Sequence, residues 1–299
     1  MSEALLRQRV AELRAEVRRL GELGDLSAAR PVHEEIRQLA EQIGDPVLIE
    51  LSICNLGTAS IYEGGGADYL PRLRSILTET RSDENAFLAA YSISRYYENV
   101  KEHKKFLYYA RIALQRAGTA GKLEWLLNAR NHLGNALLAV SQIGDAAREY
   151  SNALHEADPD NITGVTLTYN LGYCRLLQHR AEEGIALLVR GLRGAVRLGA
   201  RRAEAQVRLD LGFACLERGA LRQAGRQIRR ALAMAEDLGW VDGIKNALYL
   251  LGESQRLEGS VEEAESSFSR LQKTYYPEQP YLGTLLMAVD VRRMLNLHA

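Results

Sequence analysis

The sequence predicts an all-α chain, a solenoid of about seven helical hairpins closed by one last helix. Three observations carry that expectation. A Leu-Gly pair recurs, with glycines at 57, 134, 172, 212 and 252 and Ser94 in the missing place, about 37 to 40 residues apart. Each pair lies in an apolar helical stretch, followed by a turn signal and a second face of small and apolar residues at helical spacing. Strand-like alternation is hard to find, and the six prolines fall at hairpin ends or in the first turn of a helix, where proline is tolerated.

The clearest hairpin runs from Leu127 to Pro159. Ala136, Leu137 and Val140 continue the apolar face of Leu133-Gly134, and Gly144–Asp145 breaks it. Glycine suits a helix stop and Asp a helix start. Ala146, Tyr150, Ala153 and Leu154 share one side of the second helix, which ends at Asp158–Pro159 because the residue before proline leaves helical geometry. Glycine inside a helix costs up to about 1 kcal/mol, so Gly134 implies a close helix approach.

The other hairpins follow in order. Ser2 caps a helix to about Leu20, Gly24–Asp25 turns the chain, and Ser27 caps a second helix with Pro31 in its first turn. This hairpin lacks Leu-Gly, as suits an end repeat with one missing neighbour. Asp45–Pro46 leads to Asn55-Leu56-Gly57, a Gly64-Gly65-Gly66 turn and a helix capped near Asp68. The third hairpin has Ile93-Ser94, then Phe106, Ala110 and Ala113, and is dense in tyrosine. The fifth has Asn170-Leu171-Gly172, then Gly184, Leu188 and Gly191; the sixth has Leu211-Gly212, then Ala224, Ile228 and Ala231. The seventh has Leu251-Gly252, then Ala264 and Phe268, with Ser260 to Glu263 as a capping box. Residues 275–280 stop the array, and an apolar helix from about Tyr281 to Leu297 covers its end, as a solenoid requires. The expectation is one array over 1–299: a degenerate hairpin (1–44), six hairpins (45–274) and a capping helix (275–299).

Leu-Gly in the first helix and a small–aromatic–small series in the second resemble the tetratricopeptide (TPR) repeat, whose basic period is 34. The longer period is similar to that of kinesin light chains and of bacterial regulators that sense peptides or sugars. The resemblance implies a right-handed solenoid whose first helices line a concave groove. It places Asn55, Ser92, His132, Asn170, Asp210 and Leu250, each just before the Leu-Gly position, at the groove, with an asparagine ladder gripping the peptide backbone as in some TPR proteins. Neighbouring candidates are Tyr91, Arg95, Asn128, Asn131, Asn135, Tyr169, Tyr173, Phe213, Tyr249 and Glu253. Of all these, Tyr91, Arg95, Asn128, Asn131, Asn135, Asn170 and Tyr173 form the expected peptide- or protein-binding set. A second reading has the same residues packing between adjacent first helices.

Composition narrows the function. Thirty-eight Lys and Arg balance 38 Asp and Glu, so overall charge does not point to nucleic acid or an anionic membrane. An Arg-rich stretch from Arg190 to Arg230 sets eleven Arg against Glu204, Asp210 and Glu217. It admits an anionic partner such as RNA, a solvated outer wall, or end-to-end self-association. No apolar run is long enough to span a membrane, and the first residues do not read as a signal peptide. Cys54, Cys174 and Cys215 read as small core residues in a reducing, cytoplasmic compartment. The six His show no metal-ligand spacing, Gly64–Gly66 lacks the Lys and Ser/Thr of a phosphate loop, and no Ser or Cys sits in a nucleophile elbow. The expectation is a non-catalytic scaffold or adaptor without cofactor or metal that binds a peptide or protein segment. The alternatives are a ligand-sensing module acting on a separate effector chain and a structural subunit of a larger complex.

Overall fold

The computed structural model describes residues 2–23, 26–292 and 296–298. Among them there is no strand, and the residues fall into two compact units, 1–140 and 141–299. The first unit holds α1 (Glu3–Leu23), α2 (Leu26–Ile43), α3 (Pro46–Tyr62), a 3-10 turn (Ala67–Tyr69), α4 (Leu70–Glu79), α5 (Asp83–Asn99), α6 (His103–Ala120) and α7 (Leu123–Ala139). The second holds α8 (Ile143–Glu156), α9 (Ile162–Leu177), α10 (Ala181–Arg197), α11 (Arg201–Glu217), α12 (Leu221–Asp237), α13 (Val241–Glu258), α14 (Val261–Tyr275) and α15 (Leu282–Ala288). Within each unit a helix packs on its predecessor, and first helices of successive hairpins also touch: α3 with α5, α9 with α11, α11 with α13.

Side-chain caps set several helix starts. Asp45 Oδ1 accepts the N–H groups of Val47 and Leu48 at 3.1 and 3.2 Å, and Asn161 Oδ1 accepts that of Gly164 at 2.9 Å. Left-handed residues set the turns inside the hairpins. Lys101, Ser141, His179, Gly219 and Gly259 have φ of 59°, 61°, 60°, 71° and 83° and recur at close to the repeat period. The turn after α7 is therefore at Ser141 rather than at Gly144–Asp145, which lie in the first turn of α8. Asp145 there pairs with Arg148, and an acid at a helix start is favourable.

The Leu-Gly pairs mark close helix crossings. A Cβ on Gly212 would lie 2.6 Å from Ile228 Cγ1, and one on Gly252 2.5 Å from Phe268 Cε1. The second-helix faces are buried as the pattern predicts, through Phe106, Ala110 and Ala113, then Ala224, Ile228 and Ala231, then Ala264 and Phe268. Cys54 and Cys174 are in the core and burial pushes both thiols up to about 12, whereas Cys215 is half-buried.

Several element ends differ from expectation. Pro31 is exposed in the second turn of α2, because that helix begins at Leu26. Gly24–Asp25 and the Ser27 side chain lie outside the described residues. Asp68 lies within the 3-10 turn rather than at the start of α4, which begins at Leu70. Ser260 stands at the start of α14, but its side chain makes no capping bond. The largest difference is the capping helix, expected over Tyr281–Leu297: α15 ends at Ala288 and Val289 is extended. Asp290 Oδ1 accepts the Arg292 N–H at 3.0 Å and the carboxylate holds the Arg292 guanidinium at 2.6 Å, a local turn that competes with helix. Leu297 and His298 find partners on α9, α11 and α13.

Candidate functional site

In the first unit the candidate residues lie on α5 and α7. The Arg95 guanidinium sits 4.9 Å above the Tyr62 ring, donates to the Tyr62 hydroxyl at 3.0 Å and pairs with Glu98 at 2.8 Å. Tyr91, one turn before Arg95, lies with its ring 4.7 Å from that of His132. Asn128, Asn131 and Asn135 are half-buried along one side of α7. The position just before Leu-Gly is a packing position here. Ser92 Oγ meets Thr58 Oγ1 at 2.6 Å, and His132 Nε2 meets Ser94 Oγ at 2.7 Å, with the His132 ring 4.8 Å from Phe106.

Burial, seconded by Arg95, pulls His132 well below the usual histidine value of 6.5. Burial also lowers His33. Both are held neutral in the folded chain and gain a proton on unfolding, so their contribution is complete above pH 6.5 and is lost as pH falls below it. Melting temperature should fall between pH 7 and pH 5, and His132→Gln should make the slope shallower. An unchanged slope in that variant contradicts the assignment.

In the second unit α9, α11 and α13 present one face. Tyr173 and Asp210 are fully buried there with Glu253, while Tyr169 and Tyr249 are 9% and 4% exposed. Asn170 is buried beside them. The segment after α15 returns onto this face. The Leu297 N–H donates to the Tyr173 hydroxyl at 3.0 Å, and Asn246 Nδ2 donates to the Leu297 carbonyl at 3.0 Å. The His298 ring stacks on Tyr173, 4.1 Å between centroids and 4° between planes, and its Nε2 donates to both oxygens of Asp210 at 3.0 Å. Arg292 approaches Glu217 at 3.5 Å and Glu253 at 3.6 Å, and Glu253 also holds Arg256 at 2.9 Å. Burial pushes the Tyr173 and Tyr249 phenols up, so both stay protonated.

Of the expected set, the structure groups Tyr91 with Arg95, the three asparagines of α7 with one another, and Asn170 with Tyr173. Sequence reasoning missed Asn246 and the partners Arg292, Leu297 and His298. Asn246 had a signal: it stands six residues before Gly252, as Asn128 does before Gly134. Three exposed arginines of the Arg-rich stretch reach acids outside it: Arg197 to Asp160 at 2.6 Å, Arg201 to Asp237 at 2.9 Å, Arg218 to Glu182 at 2.8 Å. Among the described residues no cluster of His, Cys, Asp or Glu is placed to hold a metal, and no helix is long and apolar enough to cross a membrane.

No family model and no curated protein matches the sequence. Solved structures do. A Rap protein complexed with Competence and Sporulation Factor superposes with a TM-score of 0.75 at 12% identity, over 97% of this chain and 79% of that one. The Rap conjugation gene regulator of plasmid pLS20, in complex with the Phr* peptide, gives 0.59 at 14% identity, over 95% and 78%. A tetratricopeptide repeat protein from Parabacteroides merdae ATCC 43184 gives 0.51 at 16% identity, over 96% and 100%. The fold is that of the TPR proteins. At these identities the likeness is one of fold, and it accounts for the paired helices, the Leu-Gly crossings and the small–aromatic–small faces of both units.

Proposed function

We propose that this chain is a non-catalytic peptide-binding module that takes an extended segment on the faces of its first helices. One observation carries the reading: α9, α11 and α13 already hold a chain segment by its backbone at Leu297, with Tyr173 accepting its N–H and Asn246 donating to its carbonyl. Such bonds read the peptide unit itself and so accept many sequences. Asn128, Asn131 and Asn135 offer the first unit a comparable row of amides. The fold likeness to a Rap regulator bound to the Phr* peptide agrees with it. A regulatory role, in which the occupant alters contact with an effector on another chain, is favoured over a passive scaffold by the face being already occupied. The reading also places the chain in the cytoplasm.

Panning a library of 12-residue peptides on the full chain tests this. Captured peptides should bind more weakly to Asn246→Ala, and to Asn135→Ala with Asn170→Ala, while melting temperatures stay close to the parent's. Capture that is indifferent to both variants would remove the groove from the mechanism.

A further inference from the structure

The face of α9, α11 and α13 is chemically selective as well as backbone-reading. Asp210 and Glu253 have no solvent exposure, and Glu217 stands beside them at 28% side-chain exposure. A buried carboxylate is costly without a counter-charge or strong donors. The donors facing Asp210 are Gln206, at 3.0 Å, and His298. Arg292 serves Glu217 and Glu253. Leu297, between the two basic residues, is 4% exposed. One group is left over: among the described residues the buried Tyr249 hydroxyl has no hydrogen-bond partner. A protonated phenol in that position awaits an acceptor that the described residues do not supply.

We propose that this face is the site for a cationic peptide, with a guanidinium for Glu217 and Glu253 and, some five residues on, an apolar residue followed by an imidazole or other cation for Asp210. Arg292 and residues 296–298 occupy it as a built-in competitor. The proposal rests on the peptide-binding reading and specifies its ligand. Three features support competition over a purely structural tail. The segment is held at Leu297 by two backbone bonds, its N–H to Tyr173 and its carbonyl to Asn246, that a residue of another peptide can make as well. His298 faces Asp210, and Arg292 approaches Glu217 and Glu253 at 3.5 and 3.6 Å, longer than the 2.9 Å at which Arg256 already pairs with Glu253, so these contacts are open to exchange with a cation of another peptide. A ligand carrying an acceptor for Tyr249 satisfies a group that the resident segment leaves unsatisfied, so an outside peptide can outbind it.

The test uses the full chain and a fluorescent peptide of residues 288–299, AVDVRRMLNLHA. In the parent the resident segment reduces the free fraction of the site. Leu297→Asp with His298→Ala should free it, because the new carboxylate repels Asp210, and the peptide should bind about tenfold tighter or more, in proportion to the freed fraction. Adding Asp210→Asn to that variant should reverse most of the gain; Asn246→Ala serves if Asp210→Asn does not fold. Amide exchange gives a second reading: residues 296–298 should be slow in the parent and fast in the tail variant. Equal peptide affinity in parent and tail variant, or equal exchange, overturns the proposal. If the tail variant ignores this peptide but captures library peptides at Asn246, the ligand class falls and the peptide-binding reading stands. If it captures neither, both fall.

Discussion

Leucine at position 172 should break the crossing of α9 and α10 and lower the melting temperature by about 10 °C or more, if the chain folds at all. At this crossing backbone lies on backbone. A Cβ on Gly172 would be 3.1 Å from the Gly184 carbonyl oxygen, and one on Gly184 would be 2.9 Å from the Gly172 carbonyl oxygen. No rotamer change moves a carbonyl that is itself bonded into a helix, so the added carbons must push the helices apart. That separation loosens Leu188, which is fully buried in the core shared with Val165, Ala203 and Val207. Overpacking commonly costs about 1–3 kcal/mol, and a forced backbone separation belongs at or above the top of that range. A domain of ordinary stability has about 5–15 kcal/mol to lose. Gly144 gives the contrast. It lies in the first turn of α8 with nothing within 4 Å of an added Cβ. Gly144→Ala should therefore stabilise, by up to about 1 kcal/mol of helix propensity. Calorimetry on the two variants should show shifts of opposite sign, and a benign Gly172→Leu would mean that the crossing is looser than these distances.

The same two glycines show what was legible in the sequence. Gly172 belongs to a pair that recurs at a fixed period, and a helix keeps such a glycine only where another backbone approaches, so both pattern and reason can be read without coordinates. Gly144–Asp145 carried a turn signal that local chemistry supports equally well within a first helical turn. The residue that reverses the chain is Ser141, with φ of 61°, recognisable only by its register with Gly219 and Gly259. The second-helix faces were legible because burial there is repeated. The tail was not. Residues 281–297 have helix-compatible composition, and what holds Leu297 and His298 where they lie is a set of partners as far as 124 residues away: Tyr173, Asp210 and Asn246. No local window contains them. The candidate set named Tyr173 and Asn170, which lie on this face; what meets them there came only with the tertiary structure, and Asn246 had no signal beyond its place six residues before Gly252.

Tyr173→Ala should be the second most damaging change, and comparison with Tyr173→Phe separates the two roles of this side chain. The ring is fully buried, flanked by the Asp210 side of α11 and covered by the His298 imidazole. Removing it leaves a cavity for which aromatic-to-alanine changes typically cost about 3–5 kcal/mol. Phenylalanine keeps the ring, and with it the stacking and the core volume. It deletes only the oxygen that accepts the Leu297 N–H, for which a buried donor left unpaired costs about 1–3 kcal/mol. That cost falls on residues 296–298 rather than on the helices, because the tail can escape it by leaving the face. Thermal unfolding of Tyr173→Phe should therefore differ little from the parent, while exchange at Leu297 accelerates. Tyr173→Ala should show both a large loss of stability and a free tail. A Tyr173→Phe chain that melts as early as Tyr173→Ala would make the hydroxyl part of the core's own cohesion. A tail that stays protected in Tyr173→Phe would mean that the carboxylates, Asp210 above all, hold it without help from the backbone bond.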